Sequence, residues 1–396
     1  MRISRRLLRF LTLSPSLTLP AALYWLCPIL SQLASKPSSK FAGRCKDRSG
    51  TGAERWKTVI IVVLATFGAP SFKAATEPDA STMKAVVIRA YGGPEVLKVE
   101  NVQRPEPKDD EVLIRVFAAS INPVDVAIRK GYLAELIGNK FPLIPGMDAA
   151  GMVQKTGSKI TKFRRGDLVF TFFTLVSEGG YAEFVAAKEN EVAVKPEMVS
   201  FEQAAAVGAA GSTAWEALVD EAKLSAGQTV LIHGGAGGVG HFAIQIAKAR
   251  GAKVIATGST ANQDFLKQMG ADVAIDYTKT KFEDVAKDVD VVLDSVGRDT
   301  LERSYGVVKK GGIIVSIVDE PQQAALDAHG IRGLAFRCTP QASVLEELAK
   351  LMNAKKMTPV VSQTFPLADV VKAQEQIATR HTRGKIVLQV AEEPKN

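Results

Sequence analysis

The run Val230-Leu231-Ile232-His233-Gly234-Gly235-Ala236-Gly237-Gly238-Val239-Gly240 limits what this chain can fold into more than any other segment. A short apolar stretch, Thr229–His233, enters a cluster of glycines, and a helix-forming stretch, His241–Arg250, leaves it. Gly235, Gly237 and Gly240 have the spacing G-x-G-x-x-G. Each glycine answers a separate demand: a tight turn, backbone approach to a pyrophosphate, and close packing of helix on strand. The helix start then offers free N–H groups and the positive end of its dipole to an anion. The spacing alone is a weak signal, but a strand before it and a helix after it are the context a dinucleotide site requires.

Around this loop the chain alternates between apolar runs and helical stretches. Lys253–Thr257, Val273–Asp276, Val289–Asp294 and Ile313–Ile317 read as strands, and Asp264–Met269 and Ser343–Asn353 as helices. Phe201–Val207 and Ala214–Glu221 also read as helical. Such alternation predicts a parallel sheet covered by helices. Residues before Pro196 read differently. Lys84–Arg89, Glu111–Ala119, Ala150–Lys155, Asp167–Phe172 and Tyr181–Ala186 are strand-like and punctuated by Gly and Pro. The last apolar run, Lys385–Val390, is expected to rejoin that β-rich part. The expected division is an extension over 1–82, a β-rich domain over 83–205, a nucleotide-binding domain over 206–345, and a return over 346–396.

The end of the second nucleotide-domain strand reads Ala256-Thr257-Gly258-Ser259-Thr260, without an acid. Sites that prefer NAD usually place Asp or Glu there to bond the ribose 2′-hydroxyl. Hydroxyls at Ser259 and Thr260 tolerate a 2′-phosphate instead, and Tyr277 after the next strand is placed to pack beside it. NADP(H) is the expected cofactor. No Lys or Arg lies within 258–264 to pair the phosphate, so the expected preference is modest.

The net charge of +8 belongs to one end. Residues 1–82 carry 12 Lys and Arg against 4 Asp and Glu, whereas residues 83–396 carry 38 of each sign. The body therefore has no charge signature of a nucleic-acid or membrane binder. Of three cysteines, only Cys338 lies in the body, which excludes an internal disulfide framework. Within the extension, Arg55 and Lys57 precede an apolar run, Val59–Phe67, followed by small residues to Ala75. That layout is a secretory signal in the wrong place, about 55 residues from Met1. Three readings stay open: an upstream start, a targeting segment, or a disordered tail. The first and last leave the protein cytoplasmic, and residues 55–75 acting as a signal make it exported or organellar.

The assembled motifs are Ala119-Ser120-Ile121-Asn122-Pro123-Val124-Asp125, Pro145-Gly146-Met147-Asp148-Ala149-Ala150-Gly151 and Gly166-Asp167-Leu168-Val169. They continue with Gly179-Gly180-Tyr181-Ala182-Glu183, Ala209-Ala210-Gly211-Ser212-Thr213-Ala214 and the glycine loop. Gly270-Ala271-Asp272, Asp276-Tyr277, Asp294-Ser295-Val296-Gly297 and Arg383-Gly384-Lys385-Ile386-Val387 complete the set. Over residues 83–393 this pattern resembles the zinc-free quinone oxidoreductase and enone reductase branch of the medium-chain dehydrogenase/reductase superfamily. The resemblance implies an α/β protein: a GroES-like β domain built from both chain ends, with an inserted Rossmann domain. It implies cofactor contacts at Gly235, Gly237, Gly238, Val239, Gly240, Ser259, Thr260, Tyr277, Ile317, Thr213, Gly384 and Lys385. Asn122 and Tyr132 would line the nicotinamide and substrate pocket. The plant-type alkenal/one reductases are similar around Gly270–Lys279, yet they carry lysine where this chain has Ala127, and again in the loop at Ala261-Asn262.

No metal is expected. Zinc-dependent relatives carry a cysteine near Asn122 and Gly-His-Glu at Gly146-Met147-Asp148, together with a four-cysteine lobe. A catalytic zinc needs about three protein ligands, which these positions cannot supply. The expected reaction passes hydride from NADPH to a quinone or an α,β-unsaturated carbonyl. The Asn122 amide, the Tyr132 hydroxyl, the cofactor ribose hydroxyl and backbone N–H groups are the candidate donors to the developing oxyanion. The competing reading is a non-catalytic NADP(H)-binding structural or redox-sensing protein, and a zinc alcohol dehydrogenase is a third. A homodimer formed through Ile313–Ile317 as the sheet edge is a further expectation.

Overall fold

The structure is a computed structural model that describes residues 81–175 and 178–393. The apolar run Val59–Phe67, for which a targeting role is one of three open readings, lies outside the described residues. Three sheets make up the body. Strands β1 (Thr82–Val87) and β2 (Lys98–Gln103) pair as an antiparallel ribbon. The second sheet holds β3 (Glu111–Ile121), β4 (Asp148–Thr156), β5 (Leu168–Phe172), β6 (Phe184–Lys188) and β7 (Val192–Val194). Two strands from the far end of the chain, β14 (Val361–Pro366) and β15 (Lys385–Gln389), complete it in the order β14-β15-β3-β4-β5-β7, with β6 on β3. The expected return of the C-terminal strand is present: β15 runs antiparallel to β3, with Ile386 opposite Ile121 and Leu388 opposite Ala119.

The third sheet is wholly parallel. It contains β8 (Thr229–Ile232), β9 (Lys253–Gly258), β10 (Val273–Asp276), β11 (Val289–Asp294), β12 (Val308–Ser316) and β13 (Arg332–Ala335). Their order is β10-β9-β8-β11-β12-β13, so the order reverses between β8 and β11. This is the doubly wound dinucleotide-binding topology, with its crevice at the reversal. Val230, Leu231 and Ile232 are fully buried, as are Val292 and Leu293, because helices cover both faces of a parallel sheet.

Ile313–Ile317 is not a sheet edge: β12 lies between β11 and β13, and Ile313 pairs with both Val291 and Arg332. Residues 332–335 read Arg-Gly-Leu-Ala, too short and polar to signal a strand, and so the true outer strand went unseen. The segment Ala214–Glu221 also differs from expectation. The α-helix starts earlier, at Gly208, and runs to Trp215, and Glu216–Glu221 winds as a π-helix. Gly208 and Gly211 weaken the helical signal at its start. The boundary expected at 345/346 falls inside the helix Ala342–Asn353.

A continuous apolar core joins the two large sheets. Phe117 and Phe170 from the mixed sheet, Ala210 and Ala214 from the intervening helix, and Val230 and Phe242 from the parallel sheet and its first helix belong to one buried cluster. The helix Gly208–Trp215 is therefore the hinge-pin between the layers, held at close range by its small residues. No helix among the described residues is long and apolar enough to cross a membrane.

Candidate active site

The glycine loop leaves β8 at its carboxyl end. Gly237 is the N-cap of the helix Gly238–Ala249, and no side chain caps that helix start. Gly237, Gly238 and Val239 are half-buried between buried Ala236 and Gly240, so the loop crest is accessible. The first-turn N–H groups therefore have no side-chain cap, the arrangement an anion site needs. Gly240 does the packing. A Cβ there would lie 2.3 Å from the Gly234 carbonyl oxygen and 2.7 Å from the Gly235 Cα. Only glycine allows the helix to sit this close to the turn.

His241, in the same first turn, fastens the loop from behind. Its Nδ1–H donates to the Gly237 carbonyl at 2.9 Å, and its Nε2 accepts the Val360 N–H at 3.4 Å. Burial pushes the His241 pKa down to about 4, so the ring is neutral and keeps this tautomer. His233, at the end of β8, is buried between Thr257 and Ser304, at 3.3 and 3.0 Å, and burial likewise lowers it to about 4. Both histidines are structural members of the loop.

The C-terminal return brings a second set of groups to the same place. The Gly384 N–H donates to the Ala236 carbonyl at 2.8 Å. A Cβ on Gly238 would sit 3.1 Å from the Lys385 Cδ. Lys385 then runs inward to a buried polar cluster. Its Nζ donates to Asn122 Oδ1 at 2.6 Å and lies 3.8 Å from Asp148 Oδ2. The Asn122 Nδ2 donates to Asp148 Oδ2 at 2.8 Å, and the Ser120 hydroxyl donates to the same oxygen at 2.5 Å. Asp148 Oδ1 accepts the Ala209 N–H at 2.6 Å, at the start of the helix Gly208–Trp215. A Cβ on Gly208 would come within 2.4 Å of that carboxylate oxygen, so glycine opens the approach. Burial pulls the Lys385 ammonium below its ordinary value, while Asp148 and Asp125 hold it up.

Next to this cluster, Asp125 Oδ2 accepts the Asn122 N–H and the Tyr181 hydroxyl, each at 2.7 Å. Asp125 Oδ1 is buried without a partner. Burial raises the Asp125 pKa to about 7 against those two hydrogen bonds. The backbone of Asn122 is thereby fixed from one side and its side chain from the other.

The remaining expected residues scatter around the crevice. The Thr213 hydroxyl donates to the Ala209 carbonyl at 2.7 Å, one turn from the Asp148 contact. Ile317 is half-buried just past β12, with its N–H on the Asp294 carbonyl at 3.0 Å. The Thr260 hydroxyl is already spent on Asp276 Oδ2 at 2.5 Å, and the Asn262 amide donates to the Ser259 hydroxyl at 3.1 Å. Tyr277 is 58% exposed beside the end of β9, with its N–H on the Gly258 carbonyl. Tyr132 stands apart: it is 74% exposed, with the Lys130 ammonium 5.8 Å from its ring centre. In this conformation its hydroxyl does not join the buried cluster. Asp148 and Arg383 were not singled out from sequence. Asp148 belongs to the run Pro145–Gly151, and its role shows only once Ser120, Asn122, Ala209 and Lys385 surround it.

A crevice at a parallel-sheet reversal, closed on one side by a mixed sheet built from both chain ends, defines a two-domain nucleotide-dependent dehydrogenase or reductase. The family models agree. Residues 108–197 match the alcohol dehydrogenase GroES-like domain, and residues 269–388 match a zinc-binding dehydrogenase domain. An NADPH-dependent alkenal/one oxidoreductase of Arabidopsis thaliana is 39% identical over 77% of this chain and 79% of its own length. The pig (Sus scrofa) quinone oxidoreductase is 34% identical over 77% of this chain and 97% of its own length. The structure of the Coxiella burnetii quinone oxidoreductase superposes with a TM-score of 0.73 at 36% identity, covering 78% of this chain and all of that one. The chain belongs to the quinone and enone oxidoreductase branch of the medium-chain dehydrogenase/reductase superfamily.

One family name mentions zinc, and the donor set here does not suit that ion. Met147 is a thioether, Asn122 is a neutral amide, and both Asp148 oxygens are engaged within the protein. Among the described residues, no group of three His, Cys, Asp or Glu side chains is arranged to hold a metal.

Proposed function

We propose that this protein reduces quinones or α,β-unsaturated carbonyl compounds with NADPH, without zinc. The observation that carries the reading is the Lys385–Asn122–Asp148 bridge set against the uncapped helix start at Gly238. The names of the relatives support the same chemistry. Gly235, Gly237, Gly238, Val239 and Gly240 would hold the pyrophosphate. Ser259, Thr260 and Tyr277 would surround the adenosine ribose, and Thr213, Ile317, Gly384 and Lys385 would flank the nicotinamide half. When bound, NADPH supplies the hydride.

The protein's own part is positioning and charge stabilisation. One Nδ2 hydrogen of Asn122 is spent on Asp148, and the carboxamide oxygen is held by Lys385. The amide is thus locked in one orientation. Its second Nδ2 hydrogen is the donor we assign to the substrate oxygen. Asn122 is 5% exposed, and a hydrogen bond made in such buried surroundings is strengthened. Quinones and enones are already activated acceptors, so a neutral donor suffices where an alcohol would need a Lewis acid.

The test follows absorbance at 340 nm with NADPH, and NADH in parallel, against quinones, enones and alcohols. NADPH consumption with quinones or enones is expected. Binding without consumption would favour the non-catalytic reading, and turnover of alcohols alone would sink the proposal. Asn122→Ala should lower kcat by roughly a hundredfold, the usual loss for one oxyanion donor, while leaving NADPH affinity nearly unchanged. Pairing of two copies through this sheet would use the outer strand β13.

A further inference from the structure

The end of β9 lacks a basic residue within the 258–264 stretch, yet a cation stands beside it. Arg383 comes from the segment leading into β15, on the opposite side of the crevice. Its Nε donates to Asn262 Oδ1 at 2.9 Å, and one Nη donates to the Ala261 carbonyl at 2.7 Å. Its guanidinium carbon lies 5.3 Å from the Phe265 ring centre. No carboxylate pairs with it among the described residues. A guanidinium has five N–H donors, and two are used here.

The contacts lead directly to the strand end. Asn262, gripped by Arg383 through its oxygen, donates through its nitrogen to the Ser259 hydroxyl at 3.1 Å. On the other flank stands Asp276, whose Cα partner in the sheet is Gly258. Its charge is already met: Thr260 and Thr278 donate to it, and the Lys279 ammonium is 3.5 Å away. Arg383 is thus a cation in surplus at a place where hydroxyls replace the usual acid. A dianionic group there would find planar N–H donors suited to phosphate.

We propose that Arg383 is the residue that distinguishes NADPH from NADH, reaching the 2′-phosphate from the β-rich side of the crevice. The inference rests on the NADPH reading above and adds its charged determinant. It also explains how a strand end with no Lys or Arg within 258–264, and with Lys279 paired to Asp276, can favour a phosphorylated cofactor. The phosphate would join the two sides of the crevice through one side chain.

The experiment measures binding by calorimetry, with no acceptor substrate present. The probes are 2′,5′-ADP and 5′-ADP, on the full chain, on Arg383→Ala and on Arg383→Lys. In the unsubstituted protein 2′,5′-ADP should bind more tightly. Arg383→Ala should reduce that preference by roughly ten- to a hundredfold, as expected for loss of a charge-assisted hydrogen bond to phosphate. Arg383→Lys should restore part of it, with stronger salt dependence. Equal weakening of both probes would reveal a merely structural arginine and overturn the proposal, as would an unchanged preference. Equal affinity of the unsubstituted protein for both probes would overturn the NADPH reading itself, and the proposal with it. Quinone turnover enters none of these outcomes, so a failure of the substrate reading is seen separately.

Discussion

The two sides of the crevice are built on different principles. The nucleotide side works through backbone: an uncapped helix start, a turn of glycines, and neutral buried histidines behind it. The opposite side works through side chains. Four segments, around Ser120–Asp125, Asp148, Ala209 and Lys385, meet in a buried network that sets one ammonium against two aspartates through neutral donors. A backbone site tolerates changes that keep its shape. A buried charge network tolerates no loss of a partner, because the remaining group is left desolvated. The largest effects of substitution should therefore fall on the side-chain half.

Lys385→Met tests that ranking most directly. It removes the buried cation, which is 3% exposed, and leaves Asp148 with neutral donors only. Breaking a buried pair in this way costs about 3–5 kcal/mol. Urea unfolding at pH 7 should show a loss of that size. A loss below about 1 kcal/mol would mean the network is solvated and the contrast between the two halves is false.

Asp125 sharpens the contrast through pH. Its folded pKa, about 7, lies above the ordinary aspartate value of 3.8. Below pH 3.8 both states hold the proton, and the group is neutral in its effect. As pH rises from about 4 to about 7, the unfolded chain gives up the proton first, and stability falls, by a few kcal/mol at most. Tyr181, Asp148 and Lys385 face this group, and the two carboxylates together oppose ionisation. Asp125→Asn should flatten the stability profile across that window. A profile that keeps its slope would place the titration elsewhere.

On the backbone half, Gly240→Ala puts a methyl group 2.3 Å from the Gly234 carbonyl, and the helix must move away. Overpacking of this kind costs about 1–3 kcal/mol. Passed on to the binding loop, it amounts to roughly a ten- to hundredfold loss of NADPH affinity. Fluorescence titration with NADPH measures it. Unchanged affinity would show that the loop does not hold the pyrophosphate.

The same contrast explains what could be read from the sequence. The glycine loop is contiguous, and its demands are steric, so residues 230–240 declared both the strand–helix turn and its ligand class. Strands β10 and β11 were legible residue for residue because each is a short run rich in Val and Ile bounded by Gly, Asp or Lys, although β11 carries Asp290 and Asp294 and only Ile275 of β10 is buried. Strand β13 was not, since Arg332 and Gly333 break the apolar pattern and its place is set by pairing to β12. The charge network hid for a different reason. Asn122 and Lys385 are 263 positions apart, and each alone looks ordinary. Arg383 hid likewise, 121 positions from the asparagine it holds.

Tyr132 marks the limit of both readings and should give the smallest effect. The family resemblance places it at the pocket as a donor, whereas its ring is 74% exposed and lies near Lys130. A hydroxyl in water donates to solvent as readily as to a ligand, so its net contribution is small. Tyr132→Phe should therefore change kcat with a quinone by less than about twofold, under 0.5 kcal/mol. Its segment, however, carries the exposed Leu136 and two glycines with positive φ, Gly131 and Gly138. A tenfold fall in kcat with unchanged NADPH affinity would mean that this segment folds over the bound substrate and carries the hydroxyl in. In that event the side-chain half of the crevice is completed only by ligand, and the oxyanion is shared between Asn122 and Tyr132 rather than held by Asn122 alone.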